Sequence, residues 1–170
     1  MQTKKNLFKI RNSTKNDEKL ILDWANEKAV RQNSFNTNYI NEEDHRKWFF
    51  NMLNNSNFTQ YIMTDLNDKP IGQVRFKIKG SLSFIDVSID SYFRGKGLGS
   101  VLLRKSFAKY FLENRTKYLL IAEVKEINLP SISLFSSLKF NSKEYDKKMK
   151  TYKFTFDFNN EKFIEYLNNQ

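Results

Sequence analysis

A chain of 170 residues with 29 Lys and Arg against 19 Asp and Glu, a formal net charge of +10, one histidine and no cysteine is sized for one domain, residues 1–170, with its own core. The absence of cysteine excludes disulfides, thiolate catalysis and cysteine metal sites, and a lone histidine argues against a histidine-rich one, so no metal and a cytoplasmic location are expected. Neither a bilayer-length apolar run nor a signal-like apolar stretch after Met1-Gln-Thr-Lys-Lys-Asn is present, and the lysines are dispersed rather than striped, so neither a membrane nor specific nucleic acid is expected.

Leu7-Phe8-Lys9-Ile10-Arg11 alternates as a first strand, and Asn12-Ser13-Thr14 supplies a turn and a helix cap. Leu20, Ile21, Trp24 and Ala25 then fall at helical spacing, after which the polar residues between Val30 and Asn36 break the pattern and predict an ordered loop. Asn41 predicts the cap of a second helix, with Glu42 and Glu43 at the positive end of its dipole and Trp48, Phe49 and Met52 as an apolar face. Gln60 to Thr64, Ile71 to Lys79 and Ser81 to Asp90 predict an antiparallel meander, with turns at Asn67-Asp68 and Lys79-Gly80. A long helix follows from Leu98 to Leu112, its inner face carrying Val101, Leu102, Phe107 and Phe111. Tyr118 to Val124 is almost continuously apolar, the pattern of a central, partly parallel strand covered on both faces. Asn128 predicts the cap of another helix, with Pro130 in its first turn and Ile132 to Leu138 carrying it. Two strands, near Phe140 to Tyr145 and Thr151 to Phe158, flank the turn Asp146-Lys147-Lys148, and Glu161 to Leu167 reads as a short terminal helix.

Between the third strand of the meander and the long helix lies Arg94-Gly95-Lys96-Gly97-Leu98-Gly99, which holds three of the chain's five glycines. Without side chains the backbone turns sharply, and successive N–H groups converge on an anion at a helix N-terminus. A Walker loop needs Gly-Lys-Ser/Thr at its end, whereas Ser100 follows Gly99 directly. A dinucleotide loop needs Gly-x-Gly-x-x-Gly after a first strand, and this loop lies past mid-chain.

The hexapeptide closely resembles the pyrophosphate-binding signature of the GNAT superfamily of acetyl-CoA-dependent N-acetyltransferases. Asn128-x-x-Ser131-Ile132-x-Leu134-Phe135-x-x-Leu138-Lys139-Phe140 resembles that family's second motif, with Phe135 at the usual tyrosine and Lys139 at the usual glycine. The resemblance implies an α/β (α+β) GNAT fold: a mixed, mostly antiparallel central sheet of about seven strands flanked by about four helices. It also implies acetyl-CoA as cosubstrate and direct attack of an amine on the thioester in a ternary complex, with no metal. A narrower resemblance lies in Trp24-Ala-Asn26, Val30-Arg31-x-x-Ser34-Phe35-Asn36, His45-x-x-Trp48-Phe49 and Ile71-Gly72-Gln73-Val74-Arg75-Phe76. These segments are similar to acetyltransferases of amino-sugar nucleotides in nonulosonic (pseudaminic or legionaminic type) pathways, which implies the 4-amino group of a UDP-linked amino-deoxy sugar as acceptor. Acetylation of a ribosomal-protein N-terminus or another amine stays open, as do a non-catalytic CoA- or nucleic-acid-binding module and a homodimer.

By resemblance, the main chain of Val87 and Ile89 pairs with the pantetheine arm, and the N–H groups of Arg94, Gly95, Lys96, Gly97, Leu98, Gly99 and Ser100 hold the pyrophosphate. Asn128 and Ser131 reach the pantetheine or merely begin their helix, and Phe135 lines the CoA channel but has no proton to donate. As base, Asp86 shares a strand face with Ser88 and Asp90, and His45 is the one side chain whose unperturbed titration lies near neutrality. For the acceptor, Arg31 and Arg75 suit a diphosphate or a salt bridge, Asn36 lies in the intervening loop, and Trp48 stacks on a ring or packs in the core.

Overall fold

The computed structural model describes residues 7–114, 119–138 and 142–157. Tyr118, Lys139, Phe140 and Phe158 lie outside these residues, as does the terminal helix expected at Glu161 to Leu167. Seven strands form one sheet in the order β1-β2-β3-β4-β5-β7-β6. They are β1 (Phe8–Asn12), β2 (Phe58–Asp65), β3 (Pro70–Lys79), β4 (Leu82–Ile89), β5 (Leu119–Lys125), β6 (Ser142–Asp146) and β7 (Thr151–Asp157). Every neighbouring pair is antiparallel except β4 and β5, which the long helix makes parallel. Among the described residues no helix is long and apolar enough to cross a membrane.

Five helices stand among the described residues: α1 (Glu18–Asn26), α2 (Lys28–Asn33), α3 (Glu42–Leu53), α4 (Leu98–Asn114) and α5 (Leu129–Ser137). Asn41 caps α3 as expected, its Oδ1 accepting from Glu43 N at 2.8 Å. Asn128 caps α5 in the same way through Ser131 N, at 3.2 Å. The departure is α2, where the sequence predicts a loop from Val30. No residue of α2 is buried, so it carries no apolar stripe to read. It is fastened instead by Arg31, which donates from Nε to Ala25 O at 2.5 Å, from Nη1 to Asn36 O and Asn38 O, and from Nη2 to Ser34 Oγ.

Alternation along β2, β3 and β4 sends Tyr61, Met63, Val74, Phe76 and Ile85 to one face of the sheet, where they pack against Leu102, Leu103, Phe107 and Tyr110 of α4. Phe76 and Tyr110 stack with centroids 4.1 Å apart. The opposite face is covered by α1 and α3 around Ile21, Trp24, Phe49, Met52 and Ile62. That second layer covers only part of the sheet, and the polar members of β2 to β4 line the remainder.

Gly72 is fixed by close approach. A Cβ built there would lie 2.6 Å from Ser88 O and 2.7 Å from Ile89 Cδ1, so β3 and β4 have to separate for any side chain. Gly72→Ala is expected to destabilise the protein by about 1–3 kcal/mol, the usual range for overpacking a tight site. Urea unfolding checks this, and an unchanged midpoint would show that the strands separate without loss.

Candidate active site

The end of β4 opens the sheet. β4 and β5 pair only at Leu82 with Leu119, Ser83 with Leu120 and Phe84 with Ile121, although β4 runs on to Ile89 and β5 to Lys125. Asp90 N donates to Ile71 O at 2.9 Å, which makes Gly72 with Ile89, and by alternation Val74 with Val87, non-hydrogen-bonded pairs of the β3–β4 ladder. The N–H and C=O groups of Val87 and Ile89 therefore face away from β3, into the gap where β5 has diverged. Ile89 O is held there by Arg94 Nε at 2.8 Å.

The glycine loop closes the end of this gap. Gly95 and Gly97 have φ of 72° and 74°, a left-handed backbone that disfavours residues with a Cβ. Gly99 differs: a Cβ there would meet Leu134 Cδ2 at 3.2 Å, so it permits α4 to lie close to α5. α4 begins at Leu98, and the N–H groups of its first turn project from its N-terminus. The basic side chains of the loop are engaged elsewhere. Arg94 Nη2 pairs with Glu27 at the α1–α2 junction, Lys96 Nζ stands 4.4 Å from the Tyr92 ring centroid, and Ser100 Oγ accepts from Arg104 Nε at 3.1 Å. What the loop presents is backbone.

On the α1/α3 face lies a cleft of about 380 Å³. Ile21, Trp24, Ala25, Val30, Ile40 and Trp48 form its apolar wall, and Gln60, Gln73 and Ser88 form a polar floor. The floor is a connected row across three strands: Gln60 Nε2 donates to Gln73 Oε1 at 3.0 Å, and Gln73 Nε2 to Ser88 Oγ at 3.3 Å. Gln60 Oε1 is buried without a partner in the protein. Sequence reasoning did not select Gln60 and Gln73. Both strands carry other polar residues, Thr59, Thr64 and Asp65 in β2 and Arg75, Lys77 and Lys79 in β3, so the pattern did not single the two amides out.

His45, Arg31, Arg75, Trp48 and Asp86 all line this cleft. His45 is 3% exposed, with Nδ1 3.0 Å from Glu18 Oε1 and Nε2 without a protein partner. Asp86 Oδ2 accepts from Arg75 Nη2 at 2.5 Å, and the Arg75 guanidinium lies over Trp48, 4.9 Å from its centroid. Burial holds the Arg31 guanidinium below its ordinary pKa, opposed by the field of Asp86. The four bonds that secure α2 leave Arg31 little capacity for a diphosphate. Asn36 is exposed on the surface and does not line the cleft, its O accepting from Arg31 and its Oδ1 from Asn38 N. Phe135, expected along a cofactor channel, is 2% exposed and packs on Phe154 at 5.6 Å. Its face of α5 is turned to the core, with Ser131 half-buried nearer the N-terminus of the helix.

Comparison with known proteins gives this geometry a context. The acetyltransferase (GNAT) family profile matches residues 20–140. An uncharacterized N-acetyltransferase of Methanocaldococcus jannaschii is 25% identical over 148 residues, which cover 82% of this chain and 63% of that protein's length. Among solved structures, spermidine N-acetyltransferase from Vibrio cholerae, in complex with CoA and spermine, superposes with a TM-score of 0.78 at 13% identity, covering 89% of this chain and 95% of that one. Aminoglycoside acetyltransferase AAC(6')-Ib in complex with coenzyme A gives 0.73 at 17% identity over 89% and 95%.

Proposed function

Since the chain belongs to the acetyltransferase (GNAT) family, we propose that it moves the acetyl group of acetyl-CoA to the primary amine of a small hydroxylated ring, an amino sugar, bound in the α1/α3 cleft. The observation that carries this reading is the cleft itself, whose lining combines the indoles of Trp24 and Trp48 with an amide row formed by Gln60 and Gln73. Aromatic faces take the C–H face of a sugar ring, and amides offer both donors and acceptors to its hydroxyls.

In this reading the left-handed loop and the first turn of α4, from Arg94 to Ser100, bind the CoA pyrophosphate through N–H groups, with the helix dipole adding to the attraction. The pantetheine arm lies along the β4 edge and pairs with the main chain of Val87 and Ile89. Asn128 and Ser131, at the start of α5, bound the other side of the opening. Held in line, the neutral amine attacks the acetyl carbonyl carbon. The C–N bond forms, the C–S bond breaks with its electron pair on sulfur, and the thiolate takes up a proton released from the amine nitrogen. Orientation supplies on the order of 7–11 kcal/mol in well-aligned cases. A thiolate is a good enough leaving group that Phe135 in place of a tyrosine is no obstacle. His45 and Asp86 are the candidate bases, and Asp86 is the weaker one because it already accepts from Arg75.

The cleft supports the sugar half of a UDP-linked amino-deoxy acceptor more than its diphosphate half, since Arg31 is engaged with backbone oxygens and Arg75 with Asp86. A second reading, a polyamine or aminoglycoside acceptor, is favoured by the carboxylate of Asp44 on the cleft wall and by the similarity in fold to spermidine and aminoglycoside acetyltransferases. The cytoplasm remains the proposed location.

Acetyl-CoA-dependent thiol release over free and UDP-linked amino sugars, spermidine, aminoglycosides and N-terminal peptides tests these readings. Turnover of amino sugars is expected. Turnover confined to polyamines or peptides would replace the acceptor class. Binding of acetyl-CoA with no acceptor turned over would instead indicate a binding module.

A further inference from the structure

One contact at the acceptor cleft is more specific than packing requires. Nδ1 of His45 lies 3.0 Å from Glu18 Oε1, and the two side chains are 2% and 14% exposed. A carboxylate only accepts, so the proton of the neutral imidazole sits on Nδ1 and Nε2 keeps its lone pair. His45 lines the cleft and Glu18 does not, and Nε2 is buried without a protein partner. The plane of the ring is fixed by Phe49, stacked at 18° with centroids 5.7 Å apart, and by Trp48 at 5.5 Å.

The geometry points to Glu18 as the positioning residue of a carboxylate–imidazole pair, spanning α1 and α3, that presents the Nε2 lone pair of His45 to the ammonium of the acceptor. This rests on the acetyl-transfer reading above and assigns its base. Nε2 takes one proton from the ammonium, giving an imidazolium and a neutral amine. The amine then attacks as described, and the imidazolium returns its proton to solvent after the amide has formed. Glu18 stabilises the transient imidazolium by charge. The other charged groups that line the cleft with His45 are Asp44 on α3, Arg31 on α2, and Arg75 with Asp86 on the sheet; among the ion pairs of the described residues, only Glu18 is bonded to the imidazole. Arg75 and Asp86 largely neutralise each other, so Glu18 is the group whose removal changes the imidazole most.

The chain has a single histidine, so 15N-histidine labelling reports one imidazole without assignment. The expected wild-type spectrum at alkaline pH is the tautomer with Nδ1 protonated and Nε2 bare. Glu18→Gln keeps an oxygen at the same place and is expected to keep that tautomer and to lower kcat about tenfold. Glu18→Met is expected to mix the tautomers and to approach His45→Gln, whose kcat falls about 100-fold or more, the usual contribution of a general base. Acetyl-CoA affinity is expected to stay unchanged in all three variants.

A wild-type imidazole protonated at Nε2 overturns the pairing, and so does a Glu18→Met protein with an unaltered tautomer and kcat. Wild-type rates in His45→Gln overturn the role as base while leaving acetyl transfer intact. A wild-type protein that binds acetyl-CoA yet acetylates nothing in the panel overturns the function proposed above, whereas the tautomer measurement still decides the pairing.

Discussion

Replacing Gly97 by valine is expected to weaken acetyl-CoA binding at least 100-fold while leaving the protein folded. Nothing lies within 4 Å of a Cβ at this position, so space is no obstacle. The obstacle is φ, which at 74° is an outlier for any β-branched residue. To relieve it, the peptide planes on either side of Gly97 have to rotate, and the N–H groups they carry turn away from the anion. A hydrogen bond to a charged oxygen contributes about 1.5–3 kcal/mol, so losing two removes roughly 3–6 kcal/mol, or 10²- to 10⁴-fold in Kd. Asparagine tolerates the left-handed region, and Gly97→Asn is expected to stay within about tenfold of wild type. Calorimetric titration with CoA distinguishes the two variants. Wild-type affinity in Gly97→Val would mean that the loop does not hold the pyrophosphate by its main chain.

Asp17→Ala is expected to destabilise the protein by about 3 kcal/mol, near the lower end for breaking a buried ion pair because the partner Arg11 is partly exposed. Its carboxylate receives Arg11 Nη1 and Nη2 at 2.8 and 2.7 Å, Thr14 N at 2.7 Å and Thr14 Oγ1 at 3.0 Å. These bonds join β1 to the turn Lys15–Asp17 that starts α1. Burial pushes the Asp17 carboxyl up, but the bonds from Arg11 and Thr14 together outweigh it and hold the pKa below the ordinary value. Arg11 is raised in turn, chiefly by its bond to Asp17. A carboxyl depressed in the folded state contributes stability that is complete above its unfolded pKa of about 3.9 and disappears as pH falls through the folded value. Wild type is therefore expected to lose this increment below about pH 4. Asp17→Ala starts lower by roughly 6–12 °C in Tm and lacks the same acid-induced loss. Melting curves from pH 2 to 7 test both parts, and parallel curves for the two proteins would remove Asp17 from the account.

What the sequence made legible follows from the range of each signal. The meander, the cap at Asn41, the cap at Asn128 and the glycine loop are local patterns, and all appear where they were expected. The helix α2 escaped because it carries no apolar stripe and is held by Arg31 reaching to Ala25, Asn36 and Asn38. Phe135 resembled a channel residue because a motif fixes its place in the chain but not which face of α5 meets the core. The pairing of Glu18 with His45 joins residues 27 positions apart. It depends on how α1 packs on α3, which no spacing along the chain encodes. Gln60 and Gln73 escaped because their strands carry other polar residues, and only the pairing of β2 with β3 brings the two amides together.

The short seam between β4 and β5 also governs how the molecule comes apart. β1 to β4 form one antiparallel ladder in chain order, and β5, β7 and β6 form a second ladder, joined to the first within the sheet by three residue pairs. Such a sheet is expected to open as two cooperative units, with the amides of β5 and β7 exchanging with solvent through an opening less costly than global unfolding. The cosubstrate proposed to lie in this gap would act as a suture between the two ladders. Its binding is then expected to slow exchange furthest in β5 and β7, strands that lie on the far side of the gap from the acceptor cleft.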